Sequence, residues 1–255
     1  MVPGGMTTWI AVTAPGSDIG QAITRHLLDR GYGVIGLGRS SSLRFLEELG
    51  SDRVHAIACE YTQEQSMVAA FEEAAGRVDR IAGLVHLVGG SLLSRPLLDL
   101  ELKDLRQVMA VNLDSAFLAG REAVRWMRRT GGGNVVLFGS TTGDEPSAGK
   151  LAYGVAKAAV HNLTKSLAQE AAAFGVMANT VAPGYVMTPR HERELDARAA
   201  RKGVSREELE DLLRSKNVSG RIVRTAELLD VVELLLTTTA IQGQVIPVDL
   251  GQVGF

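Results

Sequence analysis

The sequence predicts an α/β protein built on a parallel sheet, and three observations carry that expectation. Short runs rich in Val and Ile alternate along the chain with longer stretches of helical periodicity, the pattern of repeated βαβ units. A glycine-bearing turn, Thr13-Ala14-Pro15-Gly16-Ser17-Asp18-Ile19-Gly20, follows the first such run and opens the first helical stretch. The 255 residues contain no internal repeat, linker or low-complexity tract, so residues 1–255 are read as one domain.

Seven strands are expected. Trp9–Thr13 is the first, and the turn hands it to a helix over Ile19–Arg30. The second strand, Val34–Leu37, runs out into Gly38-Arg39-Ser40-Ser41, and the third is Val54–Ala58. A helix over Gln63–Ala75 leads to the fourth strand, Gly83–Val88. Leu102–Arg129 is helical in one or two pieces. Arg128 and Arg129 place cations in its last turn, and Gly131-Gly132-Gly133 stops it. Asn134–Gly139 is the fifth strand, the Ala-rich stretch Leu151–Phe174 a helix, and Met177–Ala182 the sixth strand. A helix over Ala226–Thr237 and a strand over Gln244–Val248 close the chain. Between them lies Arg190–Lys216, helical in propensity and dense in both signs of charge. One reading is a solvated helical hairpin. The other is a substrate lid over about 188–218, because the segment follows Pro183-Gly184 at a strand's C-terminal end, where open α/β sheets bind ligands.

A net charge of −2 gives no reason to expect nucleic acid or an anionic membrane as partner. Cys59 is the only cysteine, which rules out an intrachain disulfide or a cysteine metal cluster and suits a reducing cytoplasm. Met1-Val2-Pro3-Gly4-Gly5 lacks a basic n-region and a following apolar run, so no secretory signal is expected. No stretch is long and apolar enough to span a bilayer.

Chemistry concentrates in Tyr153-Gly-Val-Ala-Lys157. Positions i and i+4 share a helix face, so phenol and ammonium can point into one pocket. Lowering a phenol from about 10 toward 7 takes roughly 4 kcal/mol. One charge about 4 Å away at an effective dielectric near 20 supplies about that much. Tyr153 is therefore the candidate acid/base, Lys157 its electrostatic partner, and Ser140 the hydroxyl that holds a substrate oxygen.

These residues, with Asn112 in Val111-Asn112-Leu113, resemble the short-chain dehydrogenase/reductase family of the single-domain type, and the likeness covers nearly the whole chain. The resemblance implies a Rossmann-type, doubly wound sheet with helices on both faces and strand order 3-2-1-4-5-6-7. It also implies an NAD(P)-dependent oxidoreductase interconverting a carbonyl and a secondary alcohol by hydride transfer. Its catalytic set falls on Asn112, Ser140, Tyr153 and Lys157, with no metal. Lys157 would also hold the nicotinamide ribose, and Asn112 would link it to solvent through water. The family's turn, Thr-Gly-x-x-x-Gly-x-Gly, keeps Thr13, Gly16, Ile19 and Gly20 but has Ala14 and Asp18 in place of glycines. Asp18 is expected either to repel a pyrophosphate or to cap the helix. His86 and Leu87 stand where the family has two asparagines, ahead of Val88 and the matching Gly89, and Leu250 stands where a second glycine is common.

A dinucleotide would lie on Thr13, Gly16, Ser17, Asp18, Ile19 and Gly20. Beyond the turn it would meet Arg39, Ser40, Glu60, Tyr61, Val88, Gly89, Tyr153, Lys157, Pro183, Gly184, Val186 and Thr188. No carboxylate ends the second strand, and Arg39 with Ser40 suits a 2′-phosphate, which favours NADP(H) over NAD(H). Thr142, Tyr185 and Glu145 are the expected substrate neighbours. The two long helices are apolar over more than one face, which with the resemblance predicts a symmetric homotetramer, a dimer second. The rival reading is a catalytically weak nucleotide-binding scaffold or sensor, motivated by the altered turn and the two missing asparagines.

Overall fold

The computed structural model describes residues 7–252. The notion that Met1–Gly5 carries no secretory signal concerns residues outside that range. Seven parallel strands form one sheet: β1 (Trp9–Thr13), β2 (Gly33–Gly38), β3 (Val54–Ala58), β4 (Ile81–His86), β5 (Gly133–Phe138), β6 (Val176–Pro183) and β9 (Val245–Val248). Their order is β3-β2-β1-β4-β5-β6-β9, the topology expected. Two further strands, β7 (Val186–Met187) and β8 (Val223–Arg224), pair with each other and account for the shift in number.

Side-chain alternation explains the two covered faces. Ala11, Ile35, Leu37, Val135 and Leu137 point to one side of the sheet. They meet residues of α3 (Glu64–Ala75), α5 (Ser115–Thr130) and α6 (Leu151–Ala171). Ile10, Val12, Val34, Val136 and Phe138 point to the other side, against α1 (Asp18–Asp29) and α9 (Ala226–Thr237). A period of two in each strand thus fills two cores at once.

The long fourth-to-fifth crossover is neither one regular helix nor two separate ones. α4 (Leu102–Met109) passes through a π-helical turn over Ala110–Asp114 into α5, which ends on Gly131 in the left-handed region. A helix absent from the sequence reading, α2 (Ser40–Leu49), follows β2 directly. Leu43, Phe45 and Leu46, with Leu49, seat it on Val54 and Ala56 of β3, and Gly50 at φ 57° ends it.

The charged segment forms α7 (Pro189–Lys202) and α8 (Arg206–Arg214). It has a small core of its own, Leu195, Ala199, Leu209 and Leu213, packed on Tyr185, Met187, Val204 and Ile222. A reciprocal cap between Ser205 and Glu208 starts α8. Among the described residues no helix is long and apolar enough to cross a membrane.

Candidate active site

The C-terminal ends of β4, β5 and β6 bring the four expected residues together. Ser140 follows β5, and the buried Asn112 sits inside the π-helical turn. Tyr153 and Lys157 lie one turn apart on α6, and Lys157 is buried. The Ser140 hydroxyl is near enough to the Tyr153 phenol to favour its ionised form. Lys157 Nζ donates to the Phe138 carbonyl at 2.7 Å and lies 5.8 Å from the centre of the Tyr153 ring. Asn112 Nδ2 donates to Gly90 O and Val108 O at 3.0 and 2.9 Å, while its Oδ1 accepts from Gly90 N–H at 3.0 Å. Gly89 threads between them: a Cβ there would lie 2.6 Å from Asn112 Oδ1 and 2.8 Å from Lys157 Nζ. Its φ of 154° adds a second reason for glycine.

The electrostatic part of the expectation needs correction. Burial holds the Tyr153 phenol above its ordinary value, and the Ser140 hydroxyl only partly opposes this. Burial also lowers Lys157 to about 8. An ammonium that is costly to keep charged, and that donates to a backbone carbonyl, cannot be assumed to pull the phenol down by itself. In the free protein the phenol is therefore the acid form.

The glycine turn has the shape of a phosphate cradle. Ser17 caps α1 by accepting from Gly20 N–H at 3.1 Å and donates its own hydroxyl to Ala14 O at 2.9 Å. A Cβ at Gly20 would come within 2.3 Å of Ala14 O, and one at Gly16 within 2.6 Å of Ser42 Cα. Ala14 keeps the left-handed backbone of a glycine, φ 50°, as does Leu250 at 62°. Asp18 does not cap its own helix. Its Oδ2 accepts from Arg190 N–H at 2.7 Å, capping the first turn of α7 and tying the turn to the charged hairpin.

Several residues expected to meet the dinucleotide turn inward instead. Thr13 is fully buried and fastens β1 to β4. Its Oγ1 accepts from Leu87 N–H at 3.0 Å, and its hydroxyl proton goes to His86 Nδ1 at 3.1 Å. On the far side Ser115 donates to Val111 O at 2.7 Å, so Ser115 Oγ accepts His86 Nε2–H at 3.2 Å. His86 thus bridges the cradle and the π-helical turn as a neutral imidazole, its pKa lowered to about 3 by burial and by Lys157. Tyr61 is buried too, its hydroxyl donating to Leu37 O at 3.3 Å, which makes it a strut beneath the turn. Val88 and Val186 are core residues, and Thr188 caps α7 through His191 N–H at 3.3 Å. Gly16, Asp18, Ile19, Pro183 and Gly184 are part-exposed and Ser17, Arg39, Ser40 and Glu60 exposed, so these keep surface that a ligand can reach. Ser40 opens α2, whose N-terminal N–H groups favour an anion. Ser42 Oγ on the same helix accepts from Gly16 N–H at 2.8 Å. The chain thus presents a free helix end, small residues at close approach and a cation beside it, a donor set that fits a dinucleotide.

Around the substrate position, Thr142 N–H donates to Ser140 Oγ at 3.2 Å, Tyr185 takes a hydrogen bond from Arg198, and Glu145 is exposed. One neighbour escaped the sequence reading. His161 lies on α6 one turn beyond Lys157, buried. Its Nε2 accepts from Ser140 N–H at 3.5 Å, which leaves Nδ1–H to donate to Asp144 Oδ1 at 3.1 Å. Gly139 and Gly143 leave room for its ring, since a Cβ on either would approach it to 2.4 or 2.8 Å. The i, i+4, i+8 spacing of Tyr153, Lys157 and His161 was the available signal.

The short chain dehydrogenase family pattern matches residues 8–199. The chain belongs to that family. A cis-4-hydroxycyclohexanecarboxylate dehydrogenase of Sinomonas cyclohexanicum is 31% identical over 247 residues, 94% of each chain. The sorbitol-6-phosphate 2-dehydrogenase of Erwinia amylovora superposes with a TM-score of 0.90 at 26% identity, covering 96% of this chain and 100% of that one. A variant actinorhodin polyketide ketoreductase with NADPH superposes at 0.87 with 26% identity, covering 98% of each. This short-chain dehydrogenase is accordingly an NAD(P)-dependent oxidoreductase acting on a carbonyl/alcohol pair. The scaffold reading finds no support among its relatives.

Proposed function

We propose that the chain interconverts a small ketone and its secondary alcohol with Tyr153 as the proton-transfer group, and that NADP(H) is its preferred cofactor. The observation that carries this reading is the buried Lys157, its Nζ 5.8 Å from the centre of the Tyr153 ring, with the Ser140 hydroxyl beside the phenol. When bound, the nicotinamide supplies or accepts the hydride. In reduction Tyr153 Oη gives its proton to the substrate oxygen, and the Ser140 hydroxyl holds that oxygen as negative charge develops on it. Lys157 bears the compensating positive charge and binds the nicotinamide ribose. Asn112, whose Oδ1 keeps a second acceptor position, passes the proton demand outward through water. Thr142, Tyr185 and Glu145 border the substrate, and residues 188–218 serve as its lid within a single domain.

Tyr153→Phe should lower turnover by at least a thousandfold while leaving the NADPH dissociation constant, read by nucleotide fluorescence, within about threefold. Near-normal turnover would remove Tyr153 from its role. The NADP preference rests on Arg39 at the N-terminus of α2 with no acid nearby on β2. Arg39→Glu should invert the ratio of kcat/KM for NADPH over NADH, and an unchanged ratio would assign the 2′-phosphate to other groups. The relatives act by name on a hydroxycyclohexanecarboxylate, a sugar phosphate and a polyketide. What they share is the carbonyl/alcohol pair, which supports the reaction and leaves the substrate to this chain's own cleft. The lone Cys59, buried and with its thiol pushed up to about 11, fits a reducing cytoplasm, where we place the enzyme.

A further inference from the structure

Ser140 follows β5 and opens a short helical turn, Thr141–Gly143, that closes on Asp144. Backbone bonds shape this segment: Gly139 N–H donates to Val181 O at 2.8 Å, and Asp144 N–H to Thr141 O at 3.0 Å. One buried side chain that the mechanism leaves unused reaches both ends of it. His161 Nε2 accepts a long hydrogen bond, 3.5 Å, from Ser140 N–H, and its Nδ1–H donates to Asp144 Oδ1 at 3.1 Å. Between those bonds the ring lies flush against the segment. A Cβ at Gly139 would come within 2.4 Å of His161 Nε2, and one at Gly143 within 2.8 Å of its Cε1.

Hydrogen-bond direction makes the arrangement one-sided. A carboxylate only accepts, so Asp144 fixes the proton on Nδ1 and leaves the Nε2 lone pair for Ser140 N–H. The other tautomer, or the imidazolium, would set one N–H against another at Nε2. The charged groups that act on the ring are Asp144 on the loop and Lys157 and Lys165 on α6. Burial holds the imidazole below the ordinary histidine value; Asp144 opposes this, and the two lysines add to it. The ring is therefore neutral at pH 7 and takes up a proton only below pH 6.5.

We propose that His161 is a positioning residue for this dehydrogenase: keyed by Asp144, it clamps the loop that carries Ser140 and so holds the Ser140 hydroxyl beside the Tyr153 phenol. It acts through Ser140 and takes no part in proton transfer itself. Placing a donor wrongly by a fraction of an ångström is enough to lose much of its effect on a developing oxyanion. A proton on His161 frees the loop, so turnover falls on the acid side. This inference rests on the role proposed for Ser140.

Tautomer, loop and reaction are read separately. In NMR of isotope-labelled histidine ring nitrogens, His161, assigned by its loss in His161→Gln, should be the Nδ1–H tautomer at pH 7. Asp144→Ala should mix the two tautomers. The Ser140 amide should exchange with deuterium at least fivefold faster in His161→Leu. With butanedione as the ketone, His161→Leu should lower kcat tenfold or more while the KM for NADPH stays within about threefold. His161→Gln, whose amide can accept from Ser140 and donate to Asp144, should restore kcat to within about threefold at pH 7 and lose the acid-side decline. An Nε2–H tautomer in the wild type, an unchanged Ser140 amide, or a Gln variant as slow as Leu would overturn the clamp. So would a Gln variant that keeps the wild-type acid decline. Tautomer and exchange need no turnover, so they decide even if butanedione is not reduced. Ser140→Ala keeps the two readings apart. Near-normal turnover in that variant fails the proposed function and leaves the clamp to the tautomer and the exchange. A slow Ser140→Ala beside a His161→Leu that runs as wild type fails the clamp alone.

Discussion

Ala14 and Leu250 adopt the left-handed backbone, φ 50° and 62°, at two positions where the family's usual residue is glycine. A side chain there costs about 1–2 kcal/mol, yet the turn geometry is retained. The backbone path is what the fold demands, and the side chain is a tolerated strain. His86 shows a different kind of departure. A buried imidazole with both nitrogens bonded replaces an amide, and it must stay neutral. Its pKa is lowered in the folded state to about 3 against 6.5 in the open chain. As pH falls below 6.5 the unfolded chain therefore takes up a proton that the folded chain refuses. Stability should drop by up to about 1.4 kcal/mol per pH unit from this residue. In urea unfolding between pH 7.5 and 4.5, His86→Asn should flatten the decline relative to wild type. Parallel declines would show that His86 carries no such linkage.

At the scale of elements, Asp18 joins two parts that the sequence presents separately. It occupies the first turn of α1, where a diphosphate is expected, and caps α7 through Arg190 N–H. Its carboxylate can serve the hairpin only by standing beside the phosphate site. Asp18→Gly should therefore tighten NADPH binding about fivefold, a little under 1 kcal/mol of relieved repulsion. The amides at the start of α7 should at the same time exchange faster with deuterium. Unchanged affinity together with unchanged exchange would show that the contact does neither job. α2 carries a second lesson. The sequence reading placed no element after Gly38-Arg39-Ser40-Ser41, but Leu43, Phe45 and Leu46 find a face on the sheet edge, and tertiary burial overrides weak local propensity.

For the whole molecule, the two cores leave some large apolar side chains outside. Phe117 on α5, Val155 on α6 and Leu234 on α9 are 44%, 50% and 52% exposed. The symmetric homotetramer expected from the sequence would give those faces a use, since apolar helix surface left over from its sheet contact can pair with a copy of itself. Light scattering at micromolar concentration should give a mass near four chains, and Val155→Glu should shift the distribution to smaller species. A monomer under those conditions would end the proposal.

Seven strands, the helices between most of them, the cradle at the start of α1 and the pairing of Tyr153 with Lys157 were legible in local periodicity, turn chemistry and helical spacing. The order of the strands in the sheet and the place of Asn112 came from the resemblance to a known family. Where protons and charges rest depended on the folded surroundings. The tertiary structure raised Tyr153 where proximity to Lys157 promised to lower it, turned Thr13 and Tyr61 inward, and gave His86 and His161 their partners. The reason is physical: desolvation and hydrogen-bond direction depend on what surrounds a group in three dimensions, and periodicity reports only which side it faces.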